Sequence, residues 1–266
     1  RIAMGARLGL VVFASCLSGL SAMAVTRSKF DSFVGTLSKN QQRMLALVRE
    51  ADPALTVTVD ESPRGPAIVL EDGDVWEKGC LLLTRIDDAK LTKERADAIS
   101  SRVGSDDIKE RMSYAAAAMS FVLHSRSPHV PTLRGDARMF EVGDRSWYGG
   151  GLDLTPAYVY DEDCTHFHTA LKRLCDEAAA PGQYASMKCA CDGYFYIPAR
   201  EEHRGVGGIF FDDLEAPWAA DFCDQMLQAA VSPDGPYLPM VQRRQGEPVT
   251  DAQRDWQRIR RGRYIE

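Results

Sequence analysis

Hydrophobic positions along the chain switch between three- to four-residue and two-residue spacing, and the order of the switches predicts the elements. From Ser28 to Ala51 they fall at Phe30, Phe33, Leu37, Met44, Leu45, Leu47 and Val48, a helical stripe that Asp52-Pro53 ends. Thr56 to Val59 and Ala67 to Leu70 read as strands, and Asp72-Gly73-Asp74 as a turn into Val75-Trp76-Glu77. Cys80 to Ile86 is a further strand. Lys90 to Val103 reads as a polar helix on a solvated face. Met112 to His124 is small and apolar, with a buried strand expected late in the run. The two prolines of H-S-R-S-P-H-V-P-T, His124 to Thr132, exclude helix and predict a rigid loop carrying two imidazoles.

Ala137 to Val142 reads as a strand leading to a turn at Gly143-Asp144. Asp161 to Ala179 is a helix with an Asp cap and acids in its first turn, and Phe167, Leu171 and Leu174 form its core stripe. Gly193 to Pro198 and Gly208 to Phe211 are expected as strands and Ala219 to Val231 as a helix. Tyr237 to Val241 is a short apolar run, and Asp251 to Arg261 an arginine-rich helix whose solvated face leads toward a strand. No repeat, low-complexity segment or linker divides the chain. The pattern is one α+β domain.

Two strands depart from simple alternation. W-Y-G-G-G-L-D-L-T-P (Trp147 to Pro156) and H-R-G-V-G-G-I-F-F-D-D-L (His203 to Leu214) carry glycines where side chains would pack. Such gaps let a flat partner approach the backbone. Each gap has a carboxylate beside it: Asp153 in the first, Asp212 and Asp213 in the second. Those carboxylates either cap turns or face a ligand.

Composition narrows the class. With 32 basic and 38 acidic residues the net charge is −6, which argues against non-specific nucleic-acid binding. No cysteine pair has C-x-x-C spacing, so the cysteines read as reduced, mostly buried thiols. Residues 1–25 look like an address. Leu8 to Val25 is apolar, Arg1 and Arg7 precede it, and Ala22-Met23-Ala24 has the small-x-small form of a cleavage site. A cleaved leader is expected, with no stable membrane span after its removal; a single anchor helix is the alternative. The chain begins without methionine, so it is expected to be incomplete there.

Taken together the motifs resemble the oxygen-dependent coproporphyrinogen III oxidases. The matching residues are S-P-H-V-P-T (Ser127 to Thr132), A-R-M-F-E-V (Ala137 to Val142) and W-Y-G-G-G-L-D-L-T-P. They continue with E-D-C-T-H-F-H (Glu162 to His168), Y-F-Y-I-P (Tyr194 to Pro198), R-G-V-G-G-I-F-F-D-D-L and R-R-G-R-Y-I-E. Upstream, D-G-x-V-x-E-K (Asp72 to Lys78) also matches.

The resemblance implies a large antiparallel sheet between layers of helices, in a homodimer. It implies oxidative decarboxylation of two propionates of coproporphyrinogen III to vinyls, giving protoporphyrinogen IX, carbon dioxide and hydrogen peroxide. Molecular oxygen is the oxidant and no other cofactor is required, which fits the lack of a G-x-G-x-x-G opening a helix. On this reading Asp153 and Arg138 are catalytic, and Ser120, Asp136, Arg138 and Arg204 bind substrate. His124 and His168 fall where some family descriptions place metal ligands; hydrogen-bonded structural imidazoles are the alternative. His166 and His168 flank Phe167 on a helix and point to different faces. The expected compartment is a plastid, with mitochondrion or cytoplasm as alternatives.

The match fails at one chemically decisive place. The family's H-x-N-x-R reads Arg134-Gly135-Asp136-Ala137-Arg138 here, so Arg134 stands at the position of the family's proton donor. Arginine, with a pKa above about 12, is no general acid near neutrality. Relatives also continue beyond Glu266 through a substrate loop and a dimer-forming helix, so the C-terminus is expected to be truncated. A diverged, non-catalytic tetrapyrrole-binding relative is therefore the competing reading of residues 26–266.

Overall fold

A computed structural model of the protein describes residues 6–104, 107–179 and 181–265, with side chains from Arg27 onward except at residues 103 and 265. The expected leader, residues 1–25, lies outside the residues whose side chains are described. The strands are β1 (Thr56–Ser62), β2 (Gly65–Glu71), β3 (Trp76–Lys90), β4 (Ser113–Ser125), β5 (Thr132–Val142) and β6 (Arg145–Thr155). Two-residue strands β7 (Tyr196–Ile197) and β8 (Glu202–His203) pair with each other, and β9 (Gly207–Leu214) follows. The helices are α1 (Ala6–Ala51), α2 (Lys93–Val103), α3 (Asp161–Ala178), α4 (Gln183–Tyr194), α5 (Ala219–Ala230), α6 (Leu238–Arg244) and α7 (Asp251–Ile265).

The first six strands form successive antiparallel pairs, and β9 adds beside β6, giving the sheet order β1-β2-β3-β4-β5-β6-β9. Strand period puts alternate residues on opposite faces. Leu81, Met119, Phe121, Ala137, Leu152 and Ile209 lie on the face that forms the main core. Helices α1, α3, α5 and α6 cover that face with Phe30, Leu37, Phe167, Phe222, Met226 and Val241. The other face is polar and glycine-rich at its centre. A smaller cluster of Leu91, Ile99, Tyr114, Val142 and Trp147 seats α2 at one end of it. At the other end α7 is fastened by Gln257 Nε2 to Ser125 O (3.0 Å) and Trp256 Nε1 to Ala157 O (2.8 Å). The sheet thus lies between helical layers, as the resemblance implied. Among the described residues no helix is long and apolar enough to cross a membrane.

Several local expectations change. Met112 to His124 is strand almost throughout, because Ala115 and Ala117 turn into the core while Ala116 and Ala118 face the other way. His124 is consequently a strand residue, and the rigid loop is shorter, 126–131. The strand expected at Gly193 to Pro198 shrinks to the two residues of β7. Its first residues end α4, where Met187 and Cys191 give a buried four-residue step that outweighs the β-propensity of the aromatic run. Tyr237 to Val241 enters α6, with Pro239 in the first turn where no N–H is missed. The cap before α3 is Tyr160, without a side-chain bond, rather than Asp161. Helix α7 runs on to Ile265 instead of leading into a strand.

Asp52 ties the end of α1 to the sheet. Its buried carboxylate accepts from the amides of Asp74 (3.0 Å), Val75 (2.8 Å) and Trp76 (3.1 Å), holding the turn into β3. Asp52→Ala leaves three amides without that partner, and urea unfolding is expected to show a loss of about 3 kcal/mol. A loss below about 1 kcal/mol would mean that water replaces the carboxylate.

Candidate active site

The polar face of the sheet gathers most of the residues singled out in the sequence. Strand register sets Val122, Arg134, Asp153 and Gly208 in one row, and Ser120, Asp136, Gly151 and Phe210 in the next. Ala118, Arg138 and Gly149 form a third row. Ser120, Arg134, Asp136, Arg138 and Asp153 therefore share one face across three adjacent strands.

Asp153 is the most deeply placed of these, 3% exposed. Its Oδ2 accepts from Arg204 Nη2 at 2.6 Å, while Oδ1 is buried without a hydrogen-bond partner. Burial pushes its carboxyl above the ordinary range, and the Arg204 guanidinium pulls it back only in part. Arg204 is itself clamped: its guanidinium carbon lies 3.7 Å from the centre of the Phe195 ring and 4.4 Å from that of Tyr264. Arg204 is thus placed as the partner of Asp153, at the edge of the polar face.

The remaining charges form a chain. Arg134 Nη1 lies 3.1 Å from Asp136 Oδ1, and Arg138 bridges Asp136 and Asp212, the latter at 3.4 Å. Arg102 of α2 continues it to Asp213 at 2.6 Å. Gly149 is what lets Arg138 lie flat on the sheet. A β-carbon there would meet Arg138 Nε at 2.7 Å and Asp212 Oδ1 at 2.6 Å. At Gly208 a β-carbon would come within 1.9 Å of Leu152 O, so the two glycine-broken strands can pair only as they stand.

The histidines separate. His124 lies on this face beside α7; its Nδ1 is 3.2 Å from Thr132 Oγ1 and its ring packs edge-on to Tyr264. His168 belongs to α3, where Nε2 bonds to Val206 O (3.0 Å) and Nδ1 to the Tyr184 hydroxyl (3.0 Å). His166 bonds elsewhere, to Gly235 O. His124 and His168 therefore have separate settings and partners. Among the described residues no group of three or more His, Cys, Asp or Glu could hold a metal ion. His129 sits in a buried network with Tyr160 and Pro248 that fixes the segment before α7.

Sequence reasoning passed over the side chains that position the site. Phe195 and Tyr264 lie inside motifs that matched, Y-F-Y-I-P and R-R-G-R-Y-I-E, yet their ring-over-guanidinium role depends on a contact between remote segments. Arg95 and Arg102 belong to a helix that reads as solvated, but they turn toward the sheet. As chemistry, the face offers a buried carboxylate with one unpartnered oxygen, surrounded by guanidinium groups able to bind carboxylates.

Comparison with known proteins gives the face a context. The family model for coproporphyrinogen III oxidase matches residues 32–266. The chain is 35% identical over 239 residues to the mitochondrial oxygen-dependent coproporphyrinogen-III oxidase of Homo sapiens, covering 86% of this chain and 52% of that protein. It is 39% identical over 216 residues to the chloroplastic oxygen-dependent coproporphyrinogen-III oxidase of Glycine max, covering 76% and 54%. With the oxygen-dependent coproporphyrinogen-III oxidase of Francisella philomiragia it shares 30% over 257 residues, covering 90% and 81%. The chain spans about half the length of the first two relatives. It belongs to the coproporphyrinogen III oxidase family.

Burial, and next the Arg261 guanidinium, hold the His124 imidazole down at about 4, so it is neutral at pH 7. The unfolded chain takes up that proton near 6.5, ahead of the folded one. Its contribution to stability is therefore full above pH 6.5 and is lost as pH falls toward about 4. His124→Gln is expected to flatten the dependence of unfolding free energy on pH across that window. An unchanged slope would place the acid sensitivity elsewhere.

Proposed function

We propose, from membership of this family, that the protein carries out the oxygen-dependent oxidative decarboxylation of coproporphyrinogen III to protoporphyrinogen IX. At each of two propionates the carboxylate leaves as carbon dioxide and the β-carbon gives up a hydride equivalent, forming the vinyl. Molecular oxygen takes those two electrons and, with two protons in all, becomes hydrogen peroxide. No other cofactor is invoked. The observation that carries the reading is Asp153 on the glycine-lined face, one oxygen paired with Arg204 and the other buried without a hydrogen-bond partner.

In this reading Asp153 accepts hydrogen bonds from pyrrole N–H groups and stabilises positive charge as a ring is oxidised. Arg138, about a third exposed, can turn a guanidinium edge from Asp212 to a propionate. Ser120 and Asp136 complete the row beneath the macrocycle. Arg134 acts by charge, since a guanidinium does not surrender its proton near neutrality. The protein is proposed to work as a homodimer in a plastid, or alternatively in a mitochondrion, in line with relatives named chloroplastic and mitochondrial. Sedimentation as a monomer would count against the first statement. A reporter fused to residues 1–50 that stayed cytosolic would count against the second.

Arg134 also favours a second reading, a tetrapyrrole-binding relative without turnover. The two separate when anaerobic coproporphyrinogen III is mixed with the protein and oxygen is added. The oxidase reading predicts vinyl products and a drop of about a hundredfold or more in Asp153→Ala. Tight binding with no oxygen uptake, unrelieved by Arg134→His, would establish the second reading.

A further inference from the structure

Between α2 and the sheet lies a cavity of about 490 Å³, on the same face as Asp153. Its surface is largely apolar, with Ala116, Ala118, Phe140 and Trp147 on the sheet side and Ala98 and Ile99 on α2. Three guanidinium groups, Arg95, Arg102 and Arg138, line it together with one carboxylate, Asp212. Arg95 and Arg102 are seven residues apart, two helical turns, so they project from the same side of α2.

These arginines are not equivalent. Arg138 is held by Asp136 and Asp212, and Arg102 by Asp213 at 2.6 Å. The backbone of β9 is bent where it carries Asp212 and Asp213: the register with β6 slips between Tyr148 and Gly150, and Asp213 takes a left-handed φ of 53°. Among the described residues Arg95 has no such counter-ion. It donates to the Tyr114 hydroxyl at 2.8 Å, with its guanidinium carbon 5.4 Å from that ring's centre. Among the described residues it forms no ion pair. The cavity thus combines an apolar lining with a cation that, among the described residues, lacks a carboxylate partner, the setting a carboxylate on a short hydrocarbon arm would complete.

We propose that Arg95, with Arg102 beside it, binds a propionate carboxylate of the tetrapyrrole and fixes its orientation over Asp153. The proposal rests on the tetrapyrrole reading and extends it to α2. Geometry permits the span: Gly149, beside the cavity, and Asp153 are four positions apart on β6, about 13 Å. A macrocycle over Asp153 extends its side chains in that direction. The apolar lining receives the methylene groups, and Arg95 receives the charge.

The test is equilibrium binding of coproporphyrin III and of its tetramethyl ester, followed by fluorescence, to the unmodified protein and to Arg95→Gln, Arg102→Gln and Arg95→Lys. Arg95→Gln is expected to weaken coproporphyrin binding about tenfold or more, as a lost charge-assisted hydrogen bond does. Binding of the ester should be unchanged, and Arg95→Lys should restore most of the loss for the free acid. Equal binding of coproporphyrin by the unmodified protein and Arg95→Gln would overturn the role of α2 while leaving the tetrapyrrole reading intact. Parallel loss of acid and ester would show a structural role and overturn it too. Failure of the unmodified protein to bind coproporphyrin would remove the tetrapyrrole reading, and this proposal with it.

Discussion

The buried contact between Arg204 and Asp153 is the interaction on which the polar face depends. Asp153 lies on β6, the strand beside the edge strand β9, whereas Arg204 arrives on the short connection before β9, and their 2.6 Å contact leaves little of either side chain exposed. Removing one member of such a pair costs about 3–5 kcal/mol, because the other charge stays buried. The pair is held by parts of the chain remote in sequence. Phe195 and Tyr264 sandwich the guanidinium, Arg204 N donates to Phe195 O, and Arg260 donates to Arg204 O at 2.8 Å. The end of α4, the approach to β9 and the last turns of α7 converge there.

The charges around the pair follow from a sheet face that cannot be apolar and still bind a polar ligand. Carboxylates and guanidinium groups alternate from Arg134 through Asp136, Arg138, Asp212 and Arg102 to Asp213. Each charge has a neighbour that offsets its desolvation. The glycines keep the centre of the face low, so that guanidinium groups lie along the backbone. Asp136 Oδ1, Asp153 Oδ1 and Arg204 Nε break the pattern as buried atoms without hydrogen-bond partners. Such atoms are costly in a finished core and are where a ligand's own donors and acceptors find partners.

Much of this was legible before any coordinates. Local periodicity was enough for α1 from Ser28 onward, for α3 and α5, and for the existence of β1 and β2, though both strands run longer than they read. Ser120, Arg138 and Asp153 were singled out by motif alone, and the strand register sets them on one face of the sheet. What was not legible depended on contacts between distant segments. The alanine run of β4 favours helix by propensity, and only its packing makes it a strand. The aromatic run at Tyr194 to Tyr196 looks extended, yet burial of Met187 and Cys191 carries the helix into it. Arg204 reads as a propionate fork by residue type, but its position beside a buried carboxylate gives it a nearer partner. Arg95 and Arg102 look like surface charges because nothing in a polar helix reveals which side meets a cavity.

The most direct measurement is a double-mutant cycle on Asp153→Asn and Arg204→Met, read by urea unfolding at pH 7. If the pair organises the face, each single change exposes the other member as an unmatched buried group, and the double variant loses less than the two losses added. A coupling of about 2 kcal/mol or more is predicted. Additivity to within about 0.5 kcal/mol would mean that the two side chains are held independently, and would contradict the account.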